Sequence, residues 1–273
     1  MTISRRSAIG CASALAFGGS TLQFSLAGAT KHAVAKLAPA RASGGQSAQR
    51  FLELLIHEDE AGGTEYSSMI WIAAPDTAWR AMSSLSTTAY EMSNMAYKKR
   101  GYRLRRVSAF DTKAGARYAA CWELASGPDW HSRHGMSPAA FASACAEFSA
   151  GGYRMTHVDA RVGYAAIWEK GDPASQQIVT ALAAPDFDAQ SASLAAQGFR
   201  PVRTSIAGEN GSSRFTSIFE KSSGSAWQAS SRLTLAQLRK TEAAMTAKGF
   251  RMTDASGRMI GGKPLFSGIW EKA

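Results

Sequence analysis

The residues best equipped for chemistry are few and scattered. His131 and His134 stand three apart, a spacing that would put both imidazoles on one helical face and offer them to a metal. His157 is the one further histidine nearby, so the alternative is a plain role in a loop between repeated units. His57-Glu58-Asp59-Glu60 opens like a zinc-binding helix, but no second histidine follows four residues on, and the run reads as a solvated hairpin tip. Gly257 to Lys263 spells most of a phosphate loop. Pro264 stands where Ser or Thr would hold magnesium, and the stretch falls at a hairpin tip instead of before a helix. Neither Ser-x-x-Lys nor Gly-x-Ser-x-Gly occurs; Ser217 and Lys221 are four apart on a predicted strand. These residues assign no catalytic, cofactor or metal site.

What would position any site is a repeat. Gly101-Tyr102-Arg103 recurs as Gly152-Tyr153-Arg154, Gly198-Phe199-Arg200 and Gly249-Phe250-Arg251. A second signature closes each unit: Cys121-Trp122-Glu123, Ile167-Trp168-Glu169, Ile218-Phe219-Glu220 and Ile269-Trp270-Glu271. Ile70-Trp71 is an earlier, worn copy, and counting back 21 residues from Trp71 starts that copy at Arg50, with Phe51 in the aromatic place. From each Trp or Phe to the next Gly is 30 residues; from Gly to the following Trp or Phe is 21, 16, 21 and 21. The length variation therefore lies between two strand-like runs with period-2 alternation, an antiparallel hairpin. Pairing Met155 with Trp168 puts Tyr153, Met155, Tyr164, Ala166 and Trp168 on one face, with Arg154, Val158, Ile167 and Glu169 on the other.

The stretch before each Gly is a helix. Ser86, Ser137 and Thr234 stand 15 residues ahead as N-caps, Pro138 suits the first turn, and Thr234 with Gln237 spells a capping box. Ala183 and Pro185 replace the polar cap in the third helix. The Gly suits the left-handed residue that stops a helix. Apolar pairs seven apart, such as Tyr90 and Tyr97 or Phe141 and Phe148, make one face that seeks a sheet. The expected fold is α+β: about five hairpins and four helices in a curved solenoid or partly closed ring, stabilised between neighbours.

A second aromatic series, Trp79, Trp130 and Trp227, falls eight residues after the strand aromatic, with Gln176 in the remaining unit. It is either a plug between strand end and helix start or a row of contacts for a glycan or extended peptide. Arg103, Arg154, Arg200 and Arg251 are expected to pair with Glu across the hairpin, which argues against a nucleic-acid stripe. Lys98-Lys99, Arg100, Arg103, Arg105 and Arg106 make one local basic patch suited to an acidic surface. Cys121 replaces the Ile of other units, and Cys145 stands where they have Asn94, Ser191 and Glu242; a disulfide between the two and two thiols are both open.

Helix, Gly-aromatic-Arg, hairpin and Ile-Trp-Glu together resemble the bacterial tandem repeat domain, over about residues 50–272. Trp130, His131, Arg133-His134-Gly135-Met136-Ser137 with Gly152-Tyr153-Arg154 and Ile167-Trp168-Glu169 carry the likeness best. In that family such repeats form the N-terminal part of polyglycine hydrolases, joined to a β-lactamase-like serine hydrolase domain. The resemblance implies secretion and peptide-linker or cell-wall substrates. This sequence shows no Ser-x-x-Lys and ends after its last repeat, so no catalytic residue carries over.

The frame around the repeats agrees. Residues 1–29 read as a twin-arginine-type signal: Arg5-Arg6, an uncharged stretch from Ala8 to Leu26, and Ala27-Gly28-Ala29 for cleavage. Residues 30–49 read as a flexible linker and 50–273 as the repeat domain: a degenerate hairpin over 50–85, then repeats over about 86–123, 137–169, 183–220 and 234–271. At 45% hydrophobic and 19% charged, the 273 residues are globular in composition, and three Cys exclude a disulfide scaffold. The formal charge of +10 falls once Arg5 and Arg6 leave with the leader. The expectation is an exported, periplasmic or extracellular, non-catalytic module without cofactor, nucleic-acid partner or membrane span. It would bind an extended peptide, glycan or cell-wall polymer, or a separate serine hydrolase. A hydrolase or hydrolase subunit, and a purely structural periplasmic protein, are the alternatives.

Overall fold

The computed structural model describes residues 49–272, apart from 59–64, 74–77, 113–114, 210, 222–223 and 262. The leader and most of the linker lie outside the described residues. The chain opens with a hairpin, β1 (Gln49–Glu58) and β2 (Glu65–Ala73). Four full units follow, each strand, helix, strand, strand. The first is β3 (Trp79–Leu85), α1 (Thr87–Lys99), β4 (Tyr102–Thr112) and β5 (Gly115–Leu124). The second is β6 (Trp130–Met136), α2 (Pro138–Ala150), β7 (Tyr153–Asp159) and β8 (Tyr164–Lys170). The third is β9 (Gln176–Ala183), α3 (Ala184–Ala196), β10 (Phe199–Glu209) and β11 (Ser212–Lys221). The fourth is β12 (Trp227–Leu233), α4 (Leu235–Ala247), β13 (Phe250–Ile260) and β14 (Lys263–Lys272).

Each full unit is a three-stranded antiparallel sheet with its last strand in the middle, as in β3-β5-β4. The strand before each helix is what the hairpin-and-helix reading lacked. Its seven or eight residues, with the 13-residue helix, lie within the constant 30-residue interval. Residues 79–85 thus join the first full unit and not the opening hairpin. The short interval of the second unit is a shorter hairpin: β7 and β8 have seven residues each, against 11 and 10 in β4 and β5.

The helix ends are built as their residues dictate. Ser86 and Ser137 accept the backbone N–H three residues on at 3.2 Å, and Thr234 and Gln237 close a full capping box. Ala183 makes no side-chain cap, and Pro185 and Asp186 occupy its first turn. Gly101, Gly152, Gly198 and Gly249 hold φ of +80°, +71°, +80° and +75° just past the helix, a conformation that costs other residues a Cβ clash.

Met155 pairs with Trp168 as expected, and the same register sets Leu104 opposite Trp122, Pro201 opposite Phe219 and Met252 opposite Trp270. Phe51 opposite Trp71 follows it, so Arg50 occupies the place of Arg103, two residues later in the unit than counting back from Trp71 suggests. A bulge follows each of these pairs. It reverses the facing beyond it: Val158, expected opposite Met155, lies with it in the core under α2. Ile167 turns the other way and packs into the core of the first unit.

The residue after each bulge is Glu53, Arg106, His157, Arg203 and Asp254 in turn. In the four full units these side chains meet. Arg106 reaches Asp254 at 2.8 Å, Arg203 reaches the same carboxylate at 2.8 Å, and His157 lies 3.4 Å from Arg106. Inner strands β4, β7, β10 and β13 are successive neighbours, and β1 lies against both β13 and β4. The array therefore curves until its ends meet around a polar axis. Among the described residues the sheets stay separate and no continuous barrel forms.

Candidate functional site

Trp79, Trp130 and Trp227 start β3, β6 and β12, opposite Glu123, Glu169 and Glu271 of the middle strands. Trp79 and Trp130 are only 6% and 5% exposed, and Trp130 packs into the core of the preceding unit. The Lys98 ammonium lies 4.4 Å from the Trp130 ring centre and donates to its carbonyl at 2.8 Å. Trp227 is half-buried. Gln176 fills the equivalent place with an amide that bonds both the N–H and the C=O of Met155. These positions seal one unit to the next and offer no row of open ring faces.

His131 and His134 lie on strand β6, not on a helix, and an odd separation on a strand turns them apart. His134 stands edge-on to Tyr90 and Tyr118, 4.9 and 5.1 Å between ring centres, with Nε2 3.4 Å from Glu91. Its burial lowers its pKa. His131 faces the other way, 5.4 Å from Phe148 and 5.1 Å from Tyr153, with Nε2 3.2 Å from Asp129. Among the described residues no three His, Cys, Asp or Glu are placed to hold a metal.

His131 does line a groove of about 500 Å³ with Arg133, Glu147, Phe148 and Tyr153. Strand β6 forms one wall and the last turn of α2 the other. The Tyr153 hydroxyl donates to Asp129 at 2.8 Å, which lowers the carboxyl pKa and raises that of the phenol. Arg133 reaches Glu147 at 2.7 Å and lies 4.9 Å from the Phe148 ring centre. Polar groups of both signs and aromatic edges along an open wall suit hydrogen bonding to a chain rich in amides or hydroxyls.

Four stretches, residues 76–124, 127–171, 181–222 and 224–273, match the polyglycine hydrolase-like structural repeat. They cover more than half of the chain. The chain belongs to the polyglycine hydrolase-like structural repeat family. No curated protein matches it.

As a member of that family, the chain uses most of its singled-out residues to join repeats. Arg103, Arg154 and Arg200 do sit across the hairpin from Glu123, Glu169 and Glu220. Their ion pairs, however, go one unit forward: Arg103 to Glu169 at 3.0 Å, Arg154 to Glu220 at 2.7 Å, and Arg200 to Glu271. Arg251 is exposed, and the register of the opening hairpin puts Ile72 where the next Glu would stand. The basic patch dissolves the same way. Lys98 caps Trp130, Arg105 joins Glu123 and Glu169, and Arg106 joins Asp254, which leaves Lys99 and Arg100 exposed.

Cys121 and Cys145 are both thiols, and burial pushes Cys145 up to about 11. Cys145 replaces a useful acceptor: Asn94 receives the Trp122 indole N–H at 2.9 Å and Glu242 that of Trp270. Where the strand residue is Phe219, the Ser191 hydroxyl opposite is buried without a hydrogen bond. Gly257 and Lys263 fall on β13 and β14 around a tip, away from any helix start. His57 and Glu58 end β1, and Asp59-Glu60 lie outside the described residues.

Two structural columns escaped the sequence reading. Lys170, Lys221 and Lys272, two places after the strand aromatic, lie over Tyr153, Phe199 and Phe250 and donate to the carbonyls of Gly151, Gln197 and Lys248. They cap the negative helix ends. Arg106, His157, Arg203 and Asp254 all stand five residues after the repeat Gly. A charged or imidazole residue at one fixed offset within a strand was the available signal.

Proposed function

We propose that this chain is an exported, non-catalytic repeat module that binds an extended polymer or protein surface. Cell-wall glycan or Gly-rich peptide is the ligand chemistry. The observation that carries the reading is the groove between β6 and the last turn of α2, where His131, Arg133, Glu147 and Tyr153 present donors and acceptors along an open wall. A polymer of sugars or of glycine offers hydroxyls or amides at regular spacing to such a wall. The family's description as a structural repeat agrees with a non-catalytic role, and its likeness to polyglycine hydrolases favours a Gly-rich partner. Export rests on Arg5-Arg6, the uncharged stretch after them and Ala27-Gly28-Ala29. It sets the site of action in the periplasm or outside the cell. No helix among the described residues is long and apolar enough to cross a membrane.

The test is retention of the chain from residue 30 on peptidoglycan, chitin and Gly-rich peptides at physiological salt. Retention on at least one is expected, with His131→Ala weakening it about tenfold while the melting temperature holds. Retention by none removes the binding reading and leaves a purely structural protein. Labelling of the pure chain by a serine-reactive probe would instead support a hydrolase or hydrolase subunit.

A further inference from the structure

Few large apolar side chains stay open to water, and two of them stand together. Met92 and Met95 of α1 are 67% and 62% exposed, with Leu124 the one other such residue among the described residues. A single exposed apolar residue is ordinary, but methionine is mostly buried in folded proteins. A separation of three along a helix makes these two side chains neighbours on one face.

The other units show that the fold does not require them. The place of Met92, nine before the repeat Gly, holds Ser143, Ala189 and Lys240; the place of Met95, six before it, holds Ala146, Ala192 and Ala243. All six are exposed as well. Alanine propagates a helix at least as well as methionine. α1 meets its core through Tyr90 and Tyr97, and meets β6 through Asn94 and Lys98. What Met92 and Met95 add is the chemistry of sulfur. An accessible thioether reduces peroxides, whereas Met136, Met155 and Met252 are buried in the cores of the second and fourth units. Oxidant reaches those three only when a unit opens.

We propose that Met92 and Met95 are a reversible oxidation site, at which peroxides convert both thioethers to sulfoxides while the repeats stay folded. At each sulfur the lone pair attacks one peroxide oxygen. An S–O bond forms, the O–O bond breaks, and the proton of the transferred oxygen goes to the leaving hydroxide, which departs as water. The sulfur loses two electrons and the peroxide gains them. A methionine sulfoxide reductase supplied with a dithiol reverses the step: the oxygen leaves as water and the dithiol closes to a disulfide. The face of α1 between exposed Glu91 and Lys99 thereby changes from apolar to polar and back. The site rests neither on the groove nor on export.

The test exposes the purified chain to hydrogen peroxide and follows each methionine by peptide mass mapping, beside the melting curve. Met92 and Met95 are expected to gain one oxygen each about tenfold faster than Met136, Met155 and Met252, with the melting temperature unmoved at that stage. The reductase and dithiol should then return both to the parent mass in the folded chain. Met92→Ser combined with Met95→Ala, the residues of the second unit, should melt with the parent. Equal rates at the exposed and buried methionines would overturn the proposal. So would a fall in melting temperature while Met92 and Met95 alone are oxidised, or sulfoxides that the reductase removes only after denaturation. A clear loss of stability in the double variant would make the two side chains packing residues and overturn it equally.

Discussion

Single side chains decide how these repeats hold. Trp168 is 2% exposed and stacks 4.5 Å from Phe148 of α2, so Trp168→Ala empties the centre of a unit. A loss of about 3–5 kcal/mol in urea unfolding is expected; an unchanged midpoint would place the indole outside the core. Two buried titratable groups act in opposite directions on pH. Burial raises the Glu242 carboxyl above its usual 4.5, partly opposed by the Trp270 N–H and the Thr246 hydroxyl. A raised carboxyl favours folding below its unfolded pKa and loses that benefit as pH rises. Glu242→Gln, which keeps an acceptor for Trp270, should melt higher than the parent at pH 7 and level with it below about pH 4.5. His157 is fully buried, and burial, then Arg203 and Arg106, drive its pKa well below 6.5. A depressed pKa contributes stability above the unfolded value that is lost as pH falls. The parent should therefore weaken below about pH 6.5, and His157→Gln should flatten that slope in a series of melting curves.

At the scale of elements, the strand before each helix carries strain in a fixed place. Ser84, Gly135, Ala181 and Arg232 stand two residues ahead of their caps with φ of 56°, 61°, 52° and 57°. Only the second unit uses Gly where a left-handed residue is required. Ala181→Gly should therefore stabilise by about 1 kcal/mol, and Gly135→Ala should cost a similar amount. Equal and opposite shifts in denaturant midpoint check both, and a loss on Ala181→Gly would show that side chain supplying more than the strain removes. The same strand marks the limit of what the sequence discloses. Helices were legible because their caps and Gly stops are local, and hairpins because Met155 and Trp168 alternate in phase. The strand from Trp130 to Met136, reading His-Ser-Arg-His-Gly, has no apolar alternation and a left-handed Gly135, so neither periodicity nor propensity reveals it. His131 and His134 consequently looked like helical neighbours and proved to face different units. The ion pairs were misjudged for a related reason. Spacing shows Arg154 opposite Glu169 but not that Glu220 of the next sheet lies within reach.

For the whole molecule, the polar axis decides between a ring and an open array. In an open solenoid each repeat depends on its neighbours alone, and damage to the last unit fades before it reaches the first. Here Asp254 of the fourth unit accepts from Arg106 of the first at 2.8 Å, from Arg203 of the third at 2.8 Å, and from the backbone N–H of Thr204 at 3.0 Å. Arg203 and Asp254 are 1% and 0% exposed at their side chains, so removing the acid strips two guanidiniums of a shared, dry counter-ion. Asp254→Ala should cost about 3–5 kcal/mol, the scale for breaking a buried pair from one side. The location of the damage is the sharper readout. Hydrogen exchange should speed up in β4, 148 residues back along the chain, as much as in β13 itself, and unfolding should remain a single transition. Protection lost only from β10 to β14, with β4 intact, would mean that the first and fourth units hold independently and that the axis pairs contribute little to closure.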